Sequence, residues 1–178
     1  MNKRLVIAFF VALSSVCGLY AQGYKEDFKA VQQAFQERLK TTPNALKKHL
    51  TTFPYTPYSD EIYLMEGVLY TEKGKYKQAT KVFNKITAKN LSRETQPMLY
   101  FYAGYALIQQ KQYEKALSLF LRLKNQKSTY APHARYYAGY CYYCMQDFPQ
   151  AMAEFLSVEH LGVYKKIAPY YIVQIYYA

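Results

Sequence analysis

The sequence predicts an all-α chain, an α-solenoid of antiparallel helix pairs stacked one on the next. Three observations carry that expectation. Gly67, Gly104 and Gly139 step by 37 and then 35 residues, and the sets Ala79, Ala116, Ala151 and Phe83, Phe120, Phe155 keep the same two steps. Apolar residues recur at helical spacing between these markers: Tyr100, Ala103, Gly104 and Leu107 lie at i, i+3, i+4 and i+7. Apolar residues make up 51% of the 178 and charged residues 20%, enough to bury a core, while Gly 7 and Pro 7 exclude collagen-like or low-complexity character.

Residues 1–21 read as a secretory signal peptide. Lys3 and Arg4 give a basic start, Leu5–Val16 is an uncharged apolar run, and Leu19-Tyr20-Ala21 offers a small residue before a cut. The cut is expected after Ala21, with Gly18 as the fallback. Cys17 leaves an acylated lipoprotein as an alternative, although Val16 stands where such signals place Gly, Ala or Ser. An uncleaved N-terminal anchor is the other alternative. Once the segment is removed, no later stretch reaches the roughly 20 residues that a membrane span needs. The mature chain is expected to be exported and soluble. It is also basic, since Lys+Arg 23 outnumber Asp+Glu 12 in the full sequence.

Residues 22–59 read as a degenerate helix pair. Phe28, Val31, Phe35 and Leu39 form one apolar helix face, Pro43-Asn44 breaks it, and Leu46, Leu50 and Phe53 form a short second helix. Pro54, Pro57 and Ser59 make the connector, with Ser59 the expected N-cap before Asp60-Glu61.

Three fuller units follow, at residues 60–96, 97–131 and 132–166. In the second, the helix through Gly104 turns near Lys111, and Ala116, Phe120 and Leu123 then share one face of a second helix. Gly104 and Ala116 are small where the two helices approach, and Tyr113 plugs the turn. Such contacts allow antiparallel packing at roughly 8–10 Å. Residues 167–178 align as the first helix of a fourth unit, with Val173 in register with Gly139. Its apolar end is a poor solenoid cap. The expectation is a truncated piece of a longer array, the alternative a dimer that buries this end.

The spacing resembles the tetratricopeptide repeat. From Gly67 the family positions fall on Tyr63, Tyr70, Tyr76, Ala79 and Phe83; from Gly104 on Tyr100, Leu107, Tyr113, Ala116 and Phe120; from Gly139 on Arg135, Tyr142, Phe148, Ala151 and Phe155. Leu107, Arg135 and the missing proline at the unit end depart from the pattern. The connector through Pro54, Tyr58 and Ser59 also looks like that of helical-repeat proteins of the Gram-negative envelope. The resemblance implies right-handed superhelical stacking and a concave face lined by the first helix of each pair. The inward positions would be Phe101, Tyr105 and Ile108, then Tyr136, Tyr140 and Tyr143, then Tyr170, Gln174 and Tyr177. The first unit would add Leu64, Val68 and Thr71, and the position six before the glycine Glu61, Met98 and His133.

That wall is rich in tyrosine, which gives large amphipathic contact at low entropy cost. The function it implies is a non-catalytic scaffold or adaptor, in the periplasm or at the outer membrane, that holds a segment of another envelope protein. The alternatives are that these rings pack against neighbouring helices, or that they stack on sugar rings in a glycan- or peptidoglycan-binding module.

Lys77, Lys81 and Lys85 recur at i, i+4 and i+8, flanked by Lys73, Lys75 and Lys89. They read as a solvated outer face, with contact to an anionic surface as the alternative. Export argues against a nucleic-acid partner. Cys141 and Cys144 fall inside a predicted helix. They read as small buried residues, with a disulfide or a redox or metal role as alternatives. His49, His133 and His160 are scattered, with no acidic partner at catalytic spacing, and Asp27, Asp60 and Asp147 read as caps. No enzyme activity, metal or cofactor is expected.

Overall fold

The structure, a computed structural model, describes the backbone of residues 3–178 and residues 18 and 20–178 in full. Every regular element among the described residues is helical, so the chain is the expected all-α fold. It divides into two units, Met1–Ile62 and Tyr63–Ala178. Among the described residues no helix is long and apolar enough to cross a membrane. The side chains of Leu5–Val16 and Cys17 lie outside the described residues.

The first unit is built on α1 (Lys3–Gln36) and α2 (Thr42–Thr52). α1 runs unbroken through Ala21, the expected cut. Phe28, Val31, Phe35 and Leu46 are buried between the two helices. Leu39, expected on the same face, is exposed, because α1 stops at Gln36. Arg38 takes the left-handed conformation there, φ 55°. The break therefore precedes Pro43, which sits in the first turn of α2, where its missing N–H costs nothing. Thr42 Oγ1 donates to the carbonyls of Ala34 (2.8 Å) and Leu39 (2.7 Å) and fixes the corner.

Asp27 caps nothing. It lies inside α1, and its carboxylate meets Nδ1 of the fully buried His49 at 2.7 Å. His49 Nε2 lies 3.2 Å from Thr56 Oγ1. No acidic partner at catalytic spacing was visible in the sequence; the structure gives His49 one, because these two residues are 22 apart and only the α1–α2 corner joins them. Ser59 opens α3 (Ser59–Glu72) as its first residue.

The second unit continues with α4 (Tyr76–Phe83), a 3-10 turn at Ala88–Asn90, α5 (Gln96–Ile108), α6 (Tyr113–Leu123), α7 (Ala131–Cys144), α8 (Phe148–Leu156) and α9 (Tyr164–Tyr176). One turn is used three times. Gly74, Lys111 and Gln146 have φ of 70°, 58° and 64°. The amides of Lys75, Gln112 and Asp147 donate to the carbonyls of Tyr70 (2.8 Å), Leu107 (3.0 Å) and Tyr142 (2.9 Å). This six-to-one closure satisfies helix-end carbonyls and reverses the chain. Asp147 then caps α8, accepting from the Gln150 amide.

Each hairpin is closed by a phenylalanine on a glycine. A β-carbon on Gly67, Gly104 or Gly139 would meet the rings of Phe83, Phe120 or Phe155 at 2.3, 2.7 and 3.1 Å. Successive hairpins join through specific bonds. Gln110 Nε2 donates to the carbonyls of Ala106 (2.9 Å) and Tyr76 (3.3 Å). Lys124 pairs with the buried carboxylate of Glu154, at the junction of α6 and α8.

Candidate functional site

The rings of α5, α7 and α9 form one connected ladder. Phe101 and Tyr105 stack with centroids 6.5 Å apart, and Tyr137 meets both, at 6.0 and 5.6 Å. On α9, Tyr171 does for the next helix what Tyr137 does here, meeting Tyr140 at 5.8 Å and Tyr143 at 5.3 Å. Tyr143 donates to Gln174 Oε1 at 2.6 Å. Edge-to-face pairs of this kind contribute about 0.5–1.5 kcal/mol each beyond their burial.

Of the residues expected to line the wall, Phe101, Tyr105, Tyr140, Tyr143 and Gln174 are half-buried along this ladder. Tyr170 and Tyr177 are exposed on α9. Ile108 and Tyr136 are buried, as are Leu64, Val68 and Thr71. Tyr136 stacks on Tyr164 at 4.8 Å and contacts Phe155, so it is packing between hairpins. Met98 is half-buried. In the first unit, Glu61 Oε2 is buried without a hydrogen-bond partner, and burial raises its carboxyl above the usual range.

Tyr102, Tyr137 and Tyr171 went unnoticed in the sequence. They occupy one repeat position, two residues before Gly104, Gly139 and Val173, and that recurrence was the signal that could have found them. His133 was noticed, but its partner was not: Nδ1 hydrogen-bonds the Tyr164 hydroxyl, and the ring lies 5.7 Å from Phe101.

The inner side of the ladder is packed and largely buried. Burial, with Tyr105 and Tyr171 nearby, pushes the Tyr137 hydroxyl up to about 12. Burial does the same to Tyr164, also to about 12, and lowers the basicity of His133. These groups are neutral near pH 7, so the face offers rings, hydroxyls and an amide. It suits an apolar or hydrogen-bonding segment better than a charged one.

Other expected features fall elsewhere. Lys77 and Lys81 are exposed on α4, while Lys85 lies beyond its end, its ammonium 4.8 Å from the Tyr63 ring centroid. Cys141 and Cys144 are both free thiols; Cys141 is buried, and burial pushes it up to about 12. Among the described residues no cluster of His, Cys, Asp or Glu could hold a metal ion. Between α4, α5 and α6 lies a groove of about 500 Å³, lined by Thr80, Phe83, Ile86, Leu99, Leu107 and Leu119 among others. In the repeat register Thr87 and the lining residue Leu119 stand where Lys124 and Glu154 stand one unit later, so the ion pair of that later junction has no counterpart at these two positions.

The family model described as Iml2/Tetratricopeptide repeat protein 39 matches residues 4–171. No curated protein and no solved structure matches the chain.

Proposed function

Because the chain belongs to the Iml2/Tetratricopeptide repeat protein 39 family, we propose that it is a helical-repeat interaction scaffold that holds a partner protein against the ring ladder of α5 and α7. The bound segment lies along Phe101, Tyr105, Tyr140 and Tyr143. The single observation that carries this reading is the continuity of the ladder: rings from successive helices meet edge to face and leave a row of half-buried tyrosines. Rigid aromatic platforms with hydroxyl tips bind extended or helical segments at low entropy cost.

The role is non-catalytic. Asp27, His49 and Thr56 line up as an acid, a base and a hydroxyl, but His49 and Thr56 are buried, which leaves no face for a substrate. The compartment belongs to the same proposal. Lys3, Arg4 and the run Leu5–Val16 support export to the periplasm or the outer-membrane periphery, with an envelope protein as partner. Lys77 and Lys81 supply a basic outer face toward anionic headgroups.

The test places a photoreactive benzoylphenylalanine at Tyr105, at Tyr140 and, as a control, at the exposed Leu121. Irradiation in cells should give discrete adducts of common mass at the first two sites and none at the third. Equal adducts at all three sites, or none, would refute the reading. Binding of peptidoglycan fragments that is lost in Tyr105→Ala and Tyr140→Ala, without a protein adduct, would replace a protein partner by a glycan. Intact-mass analysis of exported protein starting at Gln22 tests the compartment.

A further inference from the structure

The groove between α4, α5 and α6 changes character along its length. The Gln112 amide donates to the Leu107 carbonyl at 3.0 Å, and Gln110 Nε2 reaches the Tyr76 carbonyl at 3.3 Å, so α4 and α6 both start at one end of it. At that end the walls are Thr80, Gln112 and Lys115. At the other end they are Phe83, Ile86 and Leu119, over a floor that includes Leu99 and Ala103. Asn84 is the polar side chain there, exposed on the rim.

The next junction fills the corresponding positions differently. Thr80, Ile86 and Leu107 become Leu117, Leu123 and Tyr142 one unit later. Leu123 is fully buried in the core there, with Leu117 packed against the same cluster. Ile86, Leu107 and Leu119 are only half-buried. The charges differ as well. Gln112 and Lys115 become Asp147 and Gln150, so the later junction has a carboxylate and a neutral amide where this one has an amide and a cation. Among the described residues that line the groove, none is acidic.

We propose that this groove binds a free long-chain carboxylate, its chain over Leu99, Ile86 and Leu119 and its head at Lys115. A volume of about 500 Å³ is that of a small-molecule site, where an apolar lining is combined with a few placed polar groups. The Lys115 ammonium donates to neutral Gln112 Oε1 at 3.0 Å rather than to a carboxylate, so its charge is open to an anion. Lys77 lies three residues before Thr80 and seven before Asn84, on the same face of α4, and adds a second positive charge to that end. An uncharged hydrocarbon would leave these cations unused, and a cationic amphiphile would be repelled by them. The groove shares no lining residue with the ring ladder, so the site stands independently of the scaffold reading.

Displacement of the fluorescent probe dansyl-undecanoate from the full chain, below micellar concentrations, tests the proposal. Laurate should compete about tenfold better than dodecanol, which has the same chain without the charge. Lys115→Gln should weaken laurate by about the same factor and leave dodecanol unchanged. Leu119→Glu should abolish probe binding with unchanged helical circular dichroism, and Tyr105→Ala should leave it intact. No saturable probe binding, equal competition by laurate and dodecanol, laurate affinity that survives Lys115→Gln, or binding lost in Tyr105→Ala would overturn it. So would protein adducts from benzoylphenylalanine placed at Leu119, which would give the groove to a polypeptide.

Discussion

Gly67 and Phe83 sit so close that a β-carbon on the glycine would lie 2.3 Å from the ring. The same relation recurs with growing room, 2.7 Å at Gly104 and 3.1 Å at Gly139. Alanine substitutions should therefore form a graded series. Helix propensity favours alanine by about 1 kcal/mol at each site, while overpacking costs about 1–3 kcal/mol. At Gly67 the clash wins and Gly67→Ala destabilises. Gly104→Ala destabilises less, and Gly139→Ala is near neutral. Urea unfolding checks the order; equal effects would contradict it.

Lys124 and Glu154 clamp the second hairpin to the third, with the carboxylate buried. Lys124→Met leaves that carboxylate without its cation and should cost about 1.5–3 kcal/mol. Lys124→Met with Glu154→Leu should recover most of the loss, because the stranded charge is gone. A double-mutant cycle in urea measures both.

Asp27 and His49 hold the corner of the first unit. Asp27→Ala leaves a buried ring N–H unpaired and should cost about 1–3 kcal/mol. Amide exchange should quicken in α2 and stay unchanged in α6. Uniform acceleration along the chain would count against a local lock.

Alkaline pH should unfold the second unit. Burial raises Cys141 to about 12 from its ordinary 9.0, and Tyr137 and Tyr164 to about 12 from 10.0. Between those values the folded state keeps protons that the unfolded state releases, so stability falls as pH rises. The melting temperature should be flat from about pH 7 to 8.5 and fall steadily above about pH 9. Tyrosinate absorbance should rise in step with loss of helix rather than before it.

The sequence made the repeat legible because its markers are steric. A glycine that must admit a ring and an alanine at a helix crossing cannot drift without cost, so Gly104, Ala116 and Phe120 keep their spacing. The turns were only half legible. Gly74 advertises a left-handed residue, whereas Lys111 and Gln146 adopt the same conformation without advertising it. Contacts distant along the chain were invisible: Asp27 with His49 and Lys124 with Glu154 depend on how helices meet. Within the expected wall, Ile108 and Tyr136 are buried in packing, while Tyr137 and Tyr171, which tie the ladder together, were passed over.

Everything rests on hairpins closed by a phenylalanine on a glycine and repeated along the chain. Nuclear Overhauser contacts in isotope-labelled protein test this most directly. The α-protons of Gly67, Gly104 and Gly139 should each see the ring of Phe83, Phe120 and Phe155 respectively, and no other phenylalanine. Contact of Gly104 with Phe155, or contacts missing at two of the three sites, would contradict it.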